Sequence, residues 1–333
     1  MSTTTEVPVQ ERKQSPGKRG LVDLGDARRG VYGVWAAFVL LLIVAAITRP
    51  ALMQVSSLKT VAVLAAITAI VGLGQSAVIF VAGIDLSIPM VMTISGILFC
   101  QIANGDESRF FIALIVSIVV GIVIGLINGI GSVVLGIHPV VTTIAVGAIL
   151  TGITLGYTGG LVTGSPPASL GKFMLGDGSG IPAVLIALVV LTVVVTFVMR
   201  QTVFGRRLQA TAYNPVSTRL AGVNATAVAT STYVISAVCA AIGGVMVAGL
   251  SGQSYLGMGD PYLLLSVAVV ALGGASFAGG RGNFLGTLGG ALLLSLLTTL
   301  LTTFHLSEGM KVVIQGAVIL IAVIASKFRS KRD

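Results

Sequence analysis

From residue 31 onward the chain alternates long apolar runs with short polar breaks, and the runs fall at 31–48, 60–82, 88–104, 110–134, 139–158, 182–199, 227–250, 262–279, 284–304 and 310–326. Each is close to the ~20 residues that carry an α-helix across a hydrocarbon core. The pattern therefore predicts an all-α, polytopic integral membrane protein with about ten transmembrane helices. The runs at 88–104 and 262–279 are short and Pro-flanked or Gly-interrupted, so the helix count is least fixed there. Residues 1–30 lack any apolar period and read as a disordered cytoplasmic tail, with 31–326 the transmembrane domain and 327–333 a basic cytoplasmic tail. The first run exceeds the ~7–15 residues of a signal-peptide core and no small-residue cleavage site follows, which predicts a retained anchor.

Composition agrees: 55% of the residues are hydrophobic and only 9% charged, where a soluble domain carries about 25%. The 43 glycines suit close helix packing and broken helices inside a bundle. A net charge of +9 invites a nucleic-acid partner, but the basic residues lie almost wholly outside the apolar runs. Topology and anionic lipid explain them better. With the N-terminus inside and ten crossings, only Arg49, Lys59, Arg109, Lys172 and Lys311 fall outside. The other basic residues then lie in the cytoplasm, as the positive-inside rule requires, and both termini with them. The outer loop 159–181, with its Pro, Gly and Ser, reads as an ordered turn region or external lip.

That topology puts the basic loop 200–226 in the cytoplasm after the sixth span. It carries Arg200, Arg206, Arg207 and Arg219 without an acid. Within it, Asn214 suits an N-cap, Pro215 the first helical position and Gly222 a left-handed stop. Val216, Leu220 and Val223 share one face at helical spacing. A helix of about two turns is marginal alone, so the loop is either a solvated connector or a docking helix held by a partner.

Asp85 is the only formal charge between Lys59 and Asp106, and an acid this deep in apolar sequence is a functional-site candidate. Gly83 permits a break and Ser87 can cap a new helix that tolerates Pro89 in its first turn. The stretch is a tight turn or a discontinuous helix facing a solute path. Asp85 is then either a structural acceptor for freed N–H groups or a pathway residue. Gly121, Gly125 and Gly129 form a small-xxx-small stripe that fits helix packing. Cys100 and Cys239 sit in apolar surroundings and suggest no disulfide framework. His138 and His305 are too far apart in sequence, with no acid cluster near, to suggest a metal site. No catalytic or phosphate-loop motif is present, so the chain is not read as an enzyme, no cofactor is expected, and any ATP is bound and hydrolysed by another subunit.

The Gly83-Ile84-Asp85-Leu86-Ser87 core resembles the signature of ribose-type permeases, the membrane subunits of ATP-binding-cassette sugar importers. Three further blocks follow in that family's order. His138-Pro139 with Val140-Val141-Thr142-Thr143 is similar to a span opening. Val203-Phe204-Gly205-Arg206-Arg207, Asn214 and Arg219 to Asn224 are similar to the coupling segment. Leu272-Gly273-Gly274, with Gly279-Gly280-Arg281-Gly282-Asn283, is similar to a Gly-rich turn. The likeness runs from about residue 55 to 326. Ala82 stands where many members carry a second glycine, a change expected to matter little sterically. Ala212-Tyr213 and Val216-Ser217-Thr218 depart from the family's usual Gly-x and Glu-Ala-Ala-like residues.

The resemblance implies an importer permease in a bacterial inner membrane, passing a monosaccharide or similar polyhydroxylated solute. It also implies a second permease copy, a cytoplasmic ATPase and an extracytoplasmic sugar-binding protein. Arg206, Arg207, Asn214, Val216, Arg219, Leu220 and Gly222 would form the ATPase-coupling segment. Gly83, Asp85 and Ser87 would be the signature or pathway, and Gly279, Gly280 and Gly282 the Gly-rich turn. The competing reading is a secondary transporter or facilitator with Asp85 at a broken helix, against which the lack of a partner charge counts.

Overall fold

The computed structural model describes residues 24–320 except 178, 179, 281, 305, 308, 312 and 319. The tail at 1–23, Arg281, His305 and the basic C-terminus lie outside the described residues. Among them the chain is all-helical and contains no strand. Seven helices are long and apolar enough to cross a membrane. These are α1 (Leu24–Thr48), α2 (Val55–Phe80), α4 (Phe110–Gly129, extended by a π-turn to Val134), α5 (Pro139–Thr158), α7 (Ala183–Gln201), α10 (Ala225–Ser251) and α12 (Phe284–Thr303). Shorter apolar helices are α3 (Ile88–Ala103), α11 (Tyr262–Leu272) and a segment at Gly309–Val318. The connecting helices are α6 (Ala168–Leu175), α8 (Val203–Tyr213) and α9 (Pro215–Leu220).

Two boundaries differ from the sequence pattern in an informative way. The apolar run 262–279 is not one continuous helix, because α11 ends at Leu272 and the chain turns through Gly274 at φ 85°. Hydropathy alone cannot register that stop; only the backbone freedom of paired glycines does. At the other end α1 begins at Leu24, inside the stretch read as tail.

Layering follows burial. In their apolar stretches 72% of α2 and 67% of α10 and α12 is buried, against 11% of α1 and α7. So α2 and α10 form the centre, α3, α4, α11 and α12 pack on them, and α1 and α7 lie outside. Small residues set the close approach of α4 to α10. A Cβ on Gly125 would stand 2.5 Å from Val234 Cα, and one on Gly121 2.9 Å from the Ala237 carbonyl. The stripe read from sequence is a packing seam. At the end opposite α8, the loop after α5 folds into α6, whose Leu170 and Met174 bury against Gly249 of α10. Glu107 fastens this lip by accepting from the Ser169 backbone N–H and from its hydroxyl.

Candidate functional site

The connection between α2 and α3 carries the buried acid. After Phe80 the chain turns through Ala82 at φ 62° and closes with Gly83 N–H on the Val78 carbonyl, 3.0 Å. Residues 83–87 then run outside regular secondary structure, with Gly83, Asp85 and Ser87 buried and Ala82, Ile84 and Leu86 less so. Such a non-helical stretch inside a membrane bundle needs its polar groups met by protein. Asp85, 1% exposed, does this. Its Oδ1 accepts the Ser87 N–H at 3.0 Å and the Ser87 hydroxyl at 2.6 Å, and its Oδ2 accepts the Ser236 hydroxyl of α10 at 2.7 Å. Asn128 of α4 donates to the Ser87 hydroxyl at 2.8 Å. One carboxylate therefore joins the start of α3 to α10 directly and to α4 through Ser87.

Ser87 differs from its expected role. It stands at the N-cap position of α3, but its side chain makes no capping bond, and its hydroxyl bridges Asp85 and Asn128 instead. Capping passes to Asp85, which takes the Ser87 backbone N–H. Ala82 is also not neutral. Its φ of 62° is the left-handed region that favours glycine, so its methyl carries a backbone cost.

The Gly-rich turn seats on this break from below. Gly280 N–H donates to the Phe80 carbonyl at 2.9 Å. A Cβ on Gly279 would stand 3.0 Å from that same oxygen and 3.1 Å from Ala82 N, and one on Gly280 3.4 Å from the Ala212 carbonyl of α8. Both residues have positive φ, 81° and 76°, so side chains are excluded by conformation as well as by space. On Gly282 a Cβ would stand 3.0 Å from the Phe80 ring. Three stretches far apart in sequence, 80–87, the glycines Gly279, Gly280 and Gly282, and 203–213, thus meet at one end of the bundle.

The basic loop supplies the outer layer. Thr202 caps α8 by accepting the Gly205 N–H at 3.2 Å, and Gly205, Leu208 and Thr211 face inward while Arg206 and Arg207 are exposed. Asn214 caps α9 by accepting from Val216 N–H at 3.1 Å and Ser217 N–H at 3.0 Å, with Pro215 first in the helix. The stop is at Gly222, φ 80°, with Val223 N–H on the Thr218 carbonyl at 3.2 Å. Thr218 is the buried residue of α9. Val216 at 56% and Leu220 at 85% exposure turn away from the bundle, as does Arg219. This is an apolar surface on a short helix terminated at both ends.

Sequence reasoning missed Ser236 and Asn128, the partners that anchor Asp85 and Ser87. Asn128 carried a signal, being an amide inside an apolar run. Ser236 did not, since hydroxyls are frequent in such helices and bond their own backbone. His138 is exposed at the start of α5, and no group of three metal-ligating side chains occurs among the described residues.

Residues 57–323 match the family model described as branched-chain amino acid transport system / permease component. Among individual proteins, the ribose import permease of Bacillus subtilis is 32% identical over 90% of this chain and 93% of its own length. The ribose import permease of Haemophilus influenzae is 27% identical over 88% and 91%. The L-arabinose transport system permease of Escherichia coli is 28% identical over 90% and 91%. No solved structure matches the chain. With four-fifths of its length inside one family model, the chain belongs to the branched-chain amino acid transport system / permease component family.

Proposed function

We propose that this chain is the membrane-spanning permease subunit of an ATP-binding-cassette importer in a bacterial inner membrane, passing a monosaccharide or similar polyhydroxylated solute. The family description names branched-chain amino acids, but the individual relatives are named for ribose, allose and arabinose and align over nearly the whole chain. That favours a sugar. The chain works with a second permease copy, an ATPase subunit that binds and hydrolyses ATP, and an extracytoplasmic binding protein that selects the solute; it performs no reaction itself and needs no cofactor of its own. The short helices α3, α11 and Gly309–Val318 complete ten crossings, with both termini on the cytoplasmic side together with α8 and α9.

The observation that carries this reading is the capped α9 with Val216 and Leu220 outward, joined through α8 and the Gly280 turn to the backbone of Phe80 and Ala82. An ATPase gripping α9 would move α8 and the turn as one body. The break at Asp85 would pass that motion to α3 and α10, because packed interfaces switch between arrangements rather than deform continuously. The Asp85 carboxylate is engaged by serine donors, which suits a fastening role better than a coupling-ion site. In proteoliposomes holding the chain, its ATPase and its binding protein, sugar uptake is expected to follow ATP on the ATPase side and to survive a protonophore. Uptake by the chain alone under a proton gradient would instead establish a secondary transporter.

A further inference from the structure

Behind the coupling helix lies an apolar cavity of about 160 Å3, lined chiefly by Ala77 and Phe80 of α2, Val195 and Val198 of α7, and Phe204 and Leu208 of α8. Its polar rim is small: Ser76 donates to the Leu73 carbonyl, and the Asn283 side-chain oxygen accepts the Leu285 N–H. A buried water needs two to four polar partners, whereas apolar cavities of ~150 Å3 stay dry and accept hydrocarbon. The space is therefore fitted to an apolar occupant.

Its surroundings say which one. Val194 lines the cavity and is also about half exposed on the α7 surface that carries Val190, Val193 and Phe197, so the cavity communicates with the hydrocarbon-facing side of that helix. Two of the lining residues are next to arginines in the chain: Met199 precedes Arg200, and Leu208 follows Arg206 and Arg207. All three arginines are exposed, and the sequence has no acid between Asp177 and Asp260. The Arg206 guanidinium donates to the Gln201 carbonyl at 3.2 Å, so this segment is already drawn in at its start. A hydrocarbon slot flanked by exposed arginines in a segment without acids has the polarity of a phospholipid with an anionic headgroup.

We propose that this cavity binds one acyl chain of an anionic phospholipid of the adjacent leaflet, its phosphate held by Arg200, Arg206 and Arg207. The chain would pack against Phe204 and Leu208, so that lipid forms part of the seat of α8. The site does not involve the transported solute, and it leaves Val216 and Leu220 of α9 outward for the ATPase.

Native mass spectrometry of the purified full chain, after exchange into mixed micelles of phosphatidylglycerol and phosphatidylcholine, tests this. Wild type is expected to retain phosphatidylglycerol preferentially. Ala77→Phe, which fills the cavity from α2, is expected to lower retention about tenfold, the effect of losing a few buried methylenes. Should that variant not insert, Val198→Phe fills it from α7. Arg207→Gln is expected to cut the preference over phosphatidylcholine about fivefold, as one basic residue at a lipid surface supplies. Equal retention of the two lipids by wild type, or unchanged retention in a folded cavity-filled variant, would overturn the proposal.

Discussion

Asp85 is where a single residue decides most. Replacing it by alanine leaves the Ser87 N–H, the Ser87 hydroxyl and the Ser236 hydroxyl without their buried acceptor. At about 1–3 kcal/mol for each buried group left unmet, the Asp85→Ala variant is expected to unfold in detergent at a clearly lower temperature, by a loss of about 3 kcal/mol or more. Asp85→Asn keeps one oxygen for Ser87 and can donate its amide to Ser236, so it should cost less than half as much and retain uptake. A well-folded Asn variant without uptake would make the carboxylate charge itself part of transport. The sequence made Asp85 conspicuous because charge is scarce in an apolar run, but its partner Ser236 lies 151 residues away and Asn128 lies 41 residues from Ser87, contacts no local pattern encodes. Ala82 is the opposite case, inconspicuous in sequence and strained in structure at φ 62°. Ala82→Gly removes a left-handed alanine and should raise stability by about 1 kcal/mol, read as a higher midpoint in thermal unfolding. An unchanged or lower midpoint would mean that the methyl contact with the Gly279 turn outweighs the backbone cost.

At the scale of elements, caps were legible and helix companions were not. Asn214, Pro215 and Gly222 delimit α9 because each acts on its own backbone, through a side-chain acceptor, a missing N–H and a positive φ. The helix that supports it, α8, went unread because its inward face is only Gly205, Leu208 and Thr211, too small and mixed to register as an apolar stripe. For the same reason α6 was hidden in a loop rich in Pro, Gly and Ser, although Leu170 and Met174 anchor it. Since Leu220 is 85% exposed, Leu220→Asp should leave thermal stability within about 0.5 kcal/mol. It should nonetheless abolish co-purification of the ATPase, because a charge would be desolvated at the contact. Normal co-purification of a folded Leu220→Asp chain would remove α9 from the docking surface.

On the scale of the whole molecule, the exposed faces of α4 and α5 are not alike, and the difference assigns them different neighbours. The outward side of α4 bears Phe111, Ile112, Ile115, Val119, Val123 and Ile127, large side chains suited to lipid. The outward side of α5 also carries large side chains, Val141, Ile144, Ile149, Ile153, Leu155 and Tyr157, but interleaves them with Ala145, Ala148, Gly152 and Gly156, and a Cβ on either glycine would meet open space. Lipid gains nothing from such small residues, while a second helix gains close backbone approach. Its buried side, through Thr143 and Gly147, lies on the break at Ile84–Ser87, so α5 stands between the Asp85 network and whatever covers it. If the importer proposed above holds a second permease copy, we expect that copy to pack on α5, which would give each copy's break a short mechanical route to the other. A cysteine at Gly152 on a background lacking Cys100 and Cys239 should cross-link two copies in native membranes on mild oxidation, and one at Ile115 of α4 should not. Cross-linking through Ile115 alone would exchange the two faces and leave α5 to the lipid.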